Sequence, residues 1–137
     1  MAAVYDRFPA LRQLAEGPFS ALLGLTVDSA AEGKVIVRMP FHPRLLNYGP
    51  PEVPVHGGAI ASLADFAACA AVWTLATTQR SATISMTVNY SAPAVQSELI
   101  AVATIRRSGR RVASIAVEIH DNHQVLIADA LVTYKVA

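Results

Sequence analysis

Between Gly58 and Thr77 the sequence is rich in alanine and leucine, contains no proline, and presents apolar side chains on nearly every face of the helix it predicts. Such a helix has to be enclosed by the rest of the chain. Within it Asp65 is the only charged side chain between His56 and Arg80. A carboxylate among apolar neighbours is costly to bury unless it has partners, so Asp65 requires either satisfying hydrogen bonds or a chemical role. The segment is long enough to cross a bilayer, but the acid near its middle and the strand-like sequence after it favour a core helix over a membrane span.

The helix is preceded by Tyr48-Gly49-Pro50-Pro51-Glu52-Val53-Pro54-Val55 and opens at His56-Gly57-Gly58. Proline and glycine at this density end regular structure and let backbone approach a ligand closely. The first helical turn leaves N–H groups unpaired, and the helix dipole adds partial positive charge there, which suits an anion or a developing oxyanion. Asp65 stands about two turns beyond Gly58, which predicts that the glycine pair and the acid share one helix face.

Elsewhere a short helical pattern covers Asp6 to Glu16 and is ended by Gly17-Pro18, with a brief turn at Phe19 to Leu23. Strands are expected at 25–29 and 34–39, joined around Ala31-Glu32-Gly33. After the helix, Thr83 to Tyr90 alternates polar and apolar residues strictly, the mark of a strand with one face in the core. Further strands are expected at 98–106, 111–120 and 124–134, joined by short turns as an antiparallel meander. The α+β arrangement that accommodates both patterns is a five- or six-stranded antiparallel sheet wrapped around the one long helix. With 137 residues, 53% of them hydrophobic, and no repeat or linker, one domain over 1–137 is expected, its first 18 residues a helical segment. A net charge of +1 gives no reason to expect nucleic acid as a partner. The opening residues lack a basic region followed by an apolar run, and Cys69 is the sole cysteine, so no secretory signal or disulfide is expected and the reading is cytoplasmic.

Three segments, Val55-His56-Gly57-Gly58 with Leu63-Ala64-Asp65, Thr83 to Pro93, and Arg107-Ser108-Gly109-Arg110-Arg111-Val112-Ala113, resemble the hotdog-fold acyl-CoA thioesterases of the PaaI-like type. The resemblance extends from about Phe19 to Tyr134. It implies that Asp65 is the general base or nucleophile on a thioester carbonyl, that the Gly57 N–H polarises that carbonyl, and that Thr83 helps hold the attacking water. It further implies a site shared across a homodimer, with a homotetramer as the family's usual assembly and no cofactor. Related proteins usually carry an asparagine six residues before the histidine, where this chain has Pro50. Asn47 stands nine before His56, and a loop three residues longer would return its amide to the site.

Each of these residues also has a plainer reading. Asp65 could be a helix carboxylate satisfied by a hydroxyl such as Ser62, and Gly57 and Gly58 a simple helix start. His56 reads better as a residue fixing the turn than as a base, while with Gly58 it also borders the expected substrate site. Arg106, Arg107, Arg110 and Arg111 cluster about one turn, where they suit coenzyme A phosphates or form a solvated hairpin tip. His120 and His123 flank a turn without further ligands, so no metal site is expected. The alternatives to a thioesterase are a non-catalytic acyl-CoA or small-ligand binder on the same fold and, more remotely, a hydratase.

Overall fold

The computed structural model describes residues 2–50 and 52–137; Met1 and, within the proline-rich loop, Pro51 lie outside the described residues. Three short helices come first: α1 (Ala2–Arg7), α2 (Pro9–Glu16) and α3 (Pro18–Leu23). The single helical pattern expected from Asp6 to Glu16 is broken at Phe8, because Pro9 pushes the residue before it out of the helical region. Pro9 and Pro18 then sit at the first turns of α2 and α3, where no N–H is needed.

The strands are β1 (Thr26–Ala31), β2 (Lys34–Met39), β3 (Ala82–Tyr90), β4 (Leu99–Ser108), β5 (Val112–His120) and β6 (Leu126–Lys135), and the central helix is α4 (Gly57–Val72). All pair antiparallel in one sheet of order β1-β2-β4-β5-β6-β3. The meander expected over 98–134 is β4-β5-β6. β3 crosses to the far edge and pairs with β6, and the connection from β3 to β4 runs past the start of α4, where Val55 N–H donates to Ala94 O and Ala94 is buried.

The sheet closes around α4, whose Ile60, Leu63, Ala64, Ala67, Ala68 and Ala71 are buried against inward residues such as Val35, Val37, Ala101, Ile115 and Val132. Alanine on most of α4 lets the strands approach the helix on several sides at once. The helix stops at Val72, one turn short of Thr77. Ala71 O and Val72 O accept from the N–H groups of Thr74 and Leu75, three residues on, and also from Thr74 Oγ1 (2.6 Å) and Thr78 Oγ1 (2.7 Å), so the last carbonyls are satisfied by a tightened turn and two hydroxyls.

Candidate active site

The start of α4 disposes of its unpaired N–H groups in a specific way. His56 is the N-cap, in an extended conformation (φ −58°, ψ 134°), and its Nδ1 accepts from Gly58 N–H at 2.8 Å. Ala59 and Ile60 donate to His56 O. Of the four donors at this end, only the Gly57 N–H has no partner among the described residues. Gly58 is required for the cap, since a Cβ there would lie 2.9 Å from His56 Nδ1. Tyr90, at the end of β3, donates its hydroxyl to Gly57 O (2.8 Å) and fixes the turn from the other side.

Gly57 opens onto a cleft of about 370 Å³ that it shares with Asn47, Tyr90 and Pro93. Asn47 reaches this cleft because its N–H donates to Pro54 O while Leu46 bridges to Val55. These contacts close the loop at its base and leave Asn47 on the wall of the Gly57 cleft.

Two turns along, Asp65 is half-buried and lines a different cleft, of about 240 Å³, with Leu14, Phe19, Leu23, Phe66 and Cys69. Its Oδ1 accepts from Thr83 Oγ1 and from Tyr134 OH, each at 2.7 Å, while Oδ2 accepts no hydrogen bond among the described residues. Ser62, the hydroxyl considered from the sequence as a partner for Asp65, donates instead to Gly58 O.

Thr83 reaches Asp65 through an irregularity that alternation does not show. Strict alternation groups Thr83 with Ser85, Thr87 and Asn89 on the outward face. A bulge between Thr83 and Ser85 shifts the register, so that Thr83 pairs with the buried Tyr134 and Met86 with the buried Val132. Both Thr83 and the apolar residues beyond the bulge then face inward.

Tyr134 was not among the residues singled out from sequence. It is 3% exposed and its hydroxyl lies 2.7 Å from Asp65 Oδ1 and 3.0 Å from Asp65 O, donating its single proton to one or the other. Burial, and after it the neighbouring Cys69 and the Asp65 carboxylate, push its ionisation well above the usual tyrosine range, so the phenol remains a donor. Burial likewise pushes the Cys69 thiol up, which leaves it a protonated wall of the cleft. Tyr134→Phe removes one of two hydroxyl donors to a charged acceptor. We expect a loss of about 1–2 kcal/mol of stability, read by chemical denaturation; an unaltered stability would show that Thr83 alone suffices to hold Asp65.

Expected near-neighbours thus separate. Gly58 and Asp65 do lie along one helix stripe through Ser62, but the Gly58 N–H is occupied, whereas the free donor at Gly57 faces the other cleft. Arg106, Arg107, Arg110 and Arg111 are exposed around the β4–β5 turn, and none is in an ion pair among the described residues; Arg38, by contrast, pairs with Asp28 (2.7 Å) and Glu98. The hairpin rises at the end of the sheet that carries Thr83, because Ala113 pairs with Tyr134 and Tyr134 with Thr83. No group of three or more metal-ligating side chains occurs among the described residues.

A six-stranded antiparallel sheet curled around one helix, with a glycine turn and an acid on that helix, defines a hotdog-fold protein. The profile of the Thioesterase superfamily matches residues 55–128, a stretch that holds the glycine turn, Asp65, Thr83 and the arginine hairpin. The chain belongs to that superfamily. A protein of Halobacterium salinarum named as an esterase is 39% identical over 95 residues, covering 67% of this chain and 62% of its own length, so the match spans under two thirds of that relative. The medium/long-chain acyl-CoA thioesterase YigI of Salmonella typhimurium is 28% identical, with 99% of each chain covered. The solved structure of the E. coli PaaI protein, from the phenylacetic acid degradation operon, superposes with a TM-score of 0.83 over 98% of this chain and 96% of that one, at 22% identity, and shares the fold.

Proposed function

We propose that the protein hydrolyses acyl-CoA thioesters to the free acid and coenzyme A, at a site completed by two copies of the chain. The observation that carries this reading is that the free donor and the free carboxylate oxygen lie on different walls of one protomer yet at opposite ends of an unpaired edge strand. Gly57 and Asp65 are eight residues apart on α4, about 12 Å along its axis. A hydrogen bond to a carbonyl oxygen, the C=O bond and the approach of a nucleophile together span only about 7 Å. The two groups also line different clefts, so one chain does not turn both toward a single thioester carbonyl.

A second copy removes the difficulty. β3 is a sheet edge of nine residues with no charge, no proline and most side chains exposed; its one bulge lies at the Thr83 end, and from Ser85 onward it lacks the features that keep free edges from pairing. Antiparallel pairing of two β3 strands about Met86 sets Thr83 opposite Asn89 of the partner subunit. The Asp65–Thr83–Tyr134 group of one copy then stands beside the Tyr90–Gly57–Asn47 group of the other. In this arrangement the carbonyl oxygen accepts from the Gly57 N–H, with the Asn47 amide in the same cleft. Asp65, steadied through Oδ1, uses Oδ2 either to draw a proton from a water that adds to the carbonyl carbon and expels the coenzyme A thiolate, or to attack that carbon directly, expelling the thiolate and leaving a mixed anhydride that water hydrolyses. The thiolate of coenzyme A is a good leaving group and needs little acid assistance. Arg107, Arg110 and Arg111 are the cations for its phosphates. His56 acts by capping the turn, which leaves Gly57 as the available donor. A homotetramer would bring two such dimers together, and the single thiol of Cys69 fits the reducing cytoplasm. Among the described residues no helix is long and apolar enough to cross a membrane.

Thiol release from aryl- and alkyl-CoA esters, with the assembly weighed by light scattering, tests the reading. Turnover by a dimer or larger assembly is expected. Saturable binding of the esters without thiol release would move the assignment to a non-catalytic acyl-CoA binder.

A further inference from the structure

Leu14 occupies an unusual place. It lines the Asp65 cleft and also a second cleft of about 280 Å³ lined by Gln13, Trp73, Gln79, Arg80 and Ser81; among the described residues it is the one common to both. Beside Leu14, Ser81 stands between the two clefts. Ser81 Oγ lies 3.5 Å from Cys69 Sγ, a wall of the first cleft, and accepts from Trp73 Nε1 at 2.9 Å, a wall of the second. With that N–H engaged, Trp73 offers the second cleft a ring rather than a donor. Leu14 is half-buried at the margin of the core, while α2 is anchored by Leu11, which is fully buried.

We propose that Leu14 is the residue that limits acyl length, so that the substrates are thioesters of compact acids; this rests on the reading of Asp65 as the group that acts on the thioester. The Asp65 cleft sets the apolar side chains of Leu14, Phe19, Leu23, Leu25 and Phe66 around the carboxylate, with hydroxyls from Ser20, Ser62 and Tyr134. A dry cavity of about 150 Å³ takes a benzene molecule, so 240 Å³ holds roughly nine or ten non-hydrogen atoms: a phenyl ring with a short arm, or a chain of similar size. A longer chain meets the Leu14 side chain. Removing that side chain joins the two clefts and lets the chain continue along the Trp73 ring, with Gln13, Gln79 and Arg80 at the rim.

The test compares wild type, Leu14→Ala and Leu14→Met on hexanoyl-, phenylacetyl- and dodecanoyl-CoA, alongside the affinities of hexyl- and dodecyl-CoA thioethers, which cannot be hydrolysed. Wild type is expected to favour the compact esters. In Leu14→Ala the dodecanoyl-to-hexanoyl ratio of kcat/KM, and the corresponding ratio of thioether affinities, rises about tenfold, while the similarly sized Leu14→Met keeps the wild-type ratios. Thermal melts show whether the variants are folded. Ratios in folded Leu14→Ala that stay at wild-type values overturn the proposal. If wild type hydrolyses nothing but the thioether ratio still moves with Leu14, the pocket assignment stands and the hydrolytic reading falls; hydrolysis with unmoved ratios is the reverse.

Discussion

Asp65→Asn is expected to reduce kcat for thioester hydrolysis by about a thousandfold while leaving the melting temperature close to that of wild type. The replacement is isosteric. Its amide oxygen can still accept from Thr83 Oγ1 and Tyr134 OH, the two contacts now made by Oδ1, so the inner side of the group is preserved. The change falls on the outer atom. Where Oδ2 is a free acceptor able to take a proton from water or to bond the carbonyl carbon, the amide nitrogen is a donor that can do neither. What survives is the polarisation of the carbonyl from the glycine turn, which accounts for a residual rate above that in water. Thiol release under single-turnover and steady-state conditions measures the effect. Loss of less than tenfold in a folded variant would mean that Asp65 is a structural acid satisfied by its two hydroxyls, and the assignment of chemistry to this helix would fail with it.

How much of this was open to reading from the sequence depended on whether the determining contacts were local. The central helix was legible because its composition admits no other environment, and the strands flanking tight turns followed from their patterns. The end of α4 was not legible, since it is set by a tightened turn and two threonine hydroxyls bonding back to Ala71 and Val72. The pairing of β3 with β6 rather than β4 depends on contacts distant in sequence, to which the short spacing between β3 and β4 gave no clue. Thr83 is the sharpest case: alternation turns it outward, and only the bulge before Ser85 brings it to Asp65. The resemblance to a family named the residue, but the pattern of the strand argued against it. Tyr134 has a usable signal in the sequence. In β6 it falls in phase with Ala128, Ala130 and Val132, the buried face, and a tyrosine on a core face needs a partner for its hydroxyl. The only acid on the enclosed helix was Asp65. The shared face predicted for the glycine pair and the acid was correct for Gly58, yet the capping by His56 transfers the open donor to Gly57, on another wall.

The Gly57 donor can be deleted without disturbing the turn that holds it. Gly57 is the first residue of α4, a position that favours proline, and its N–H has no partner among the described residues to lose. His56 already has the extended conformation (ψ 134°) that a following proline demands. A Cβ at position 57 would meet the Tyr90 ring at 3.5 Å, an ordinary contact. Gly57→Pro should therefore fold with undiminished thermal stability and lose about 10²- to 10³-fold in kcat, the usual cost of one oxyanion donor. Co-expressing Gly57→Pro with Asp65→Asn then separates a shared site from one contained in a single chain. If Gly57 of one subunit acts with Asp65 of the other, each mixed dimer has one site with both groups intact, because the Asp65→Asn chain supplies the donor and the Gly57→Pro chain the carboxylate. Random pairing makes about half the dimers mixed and restores about a quarter of wild-type activity. Were both groups to act within one chain, every site in every mixed dimer would lack one of them, and the co-expressed protein would be as inactive as its parents.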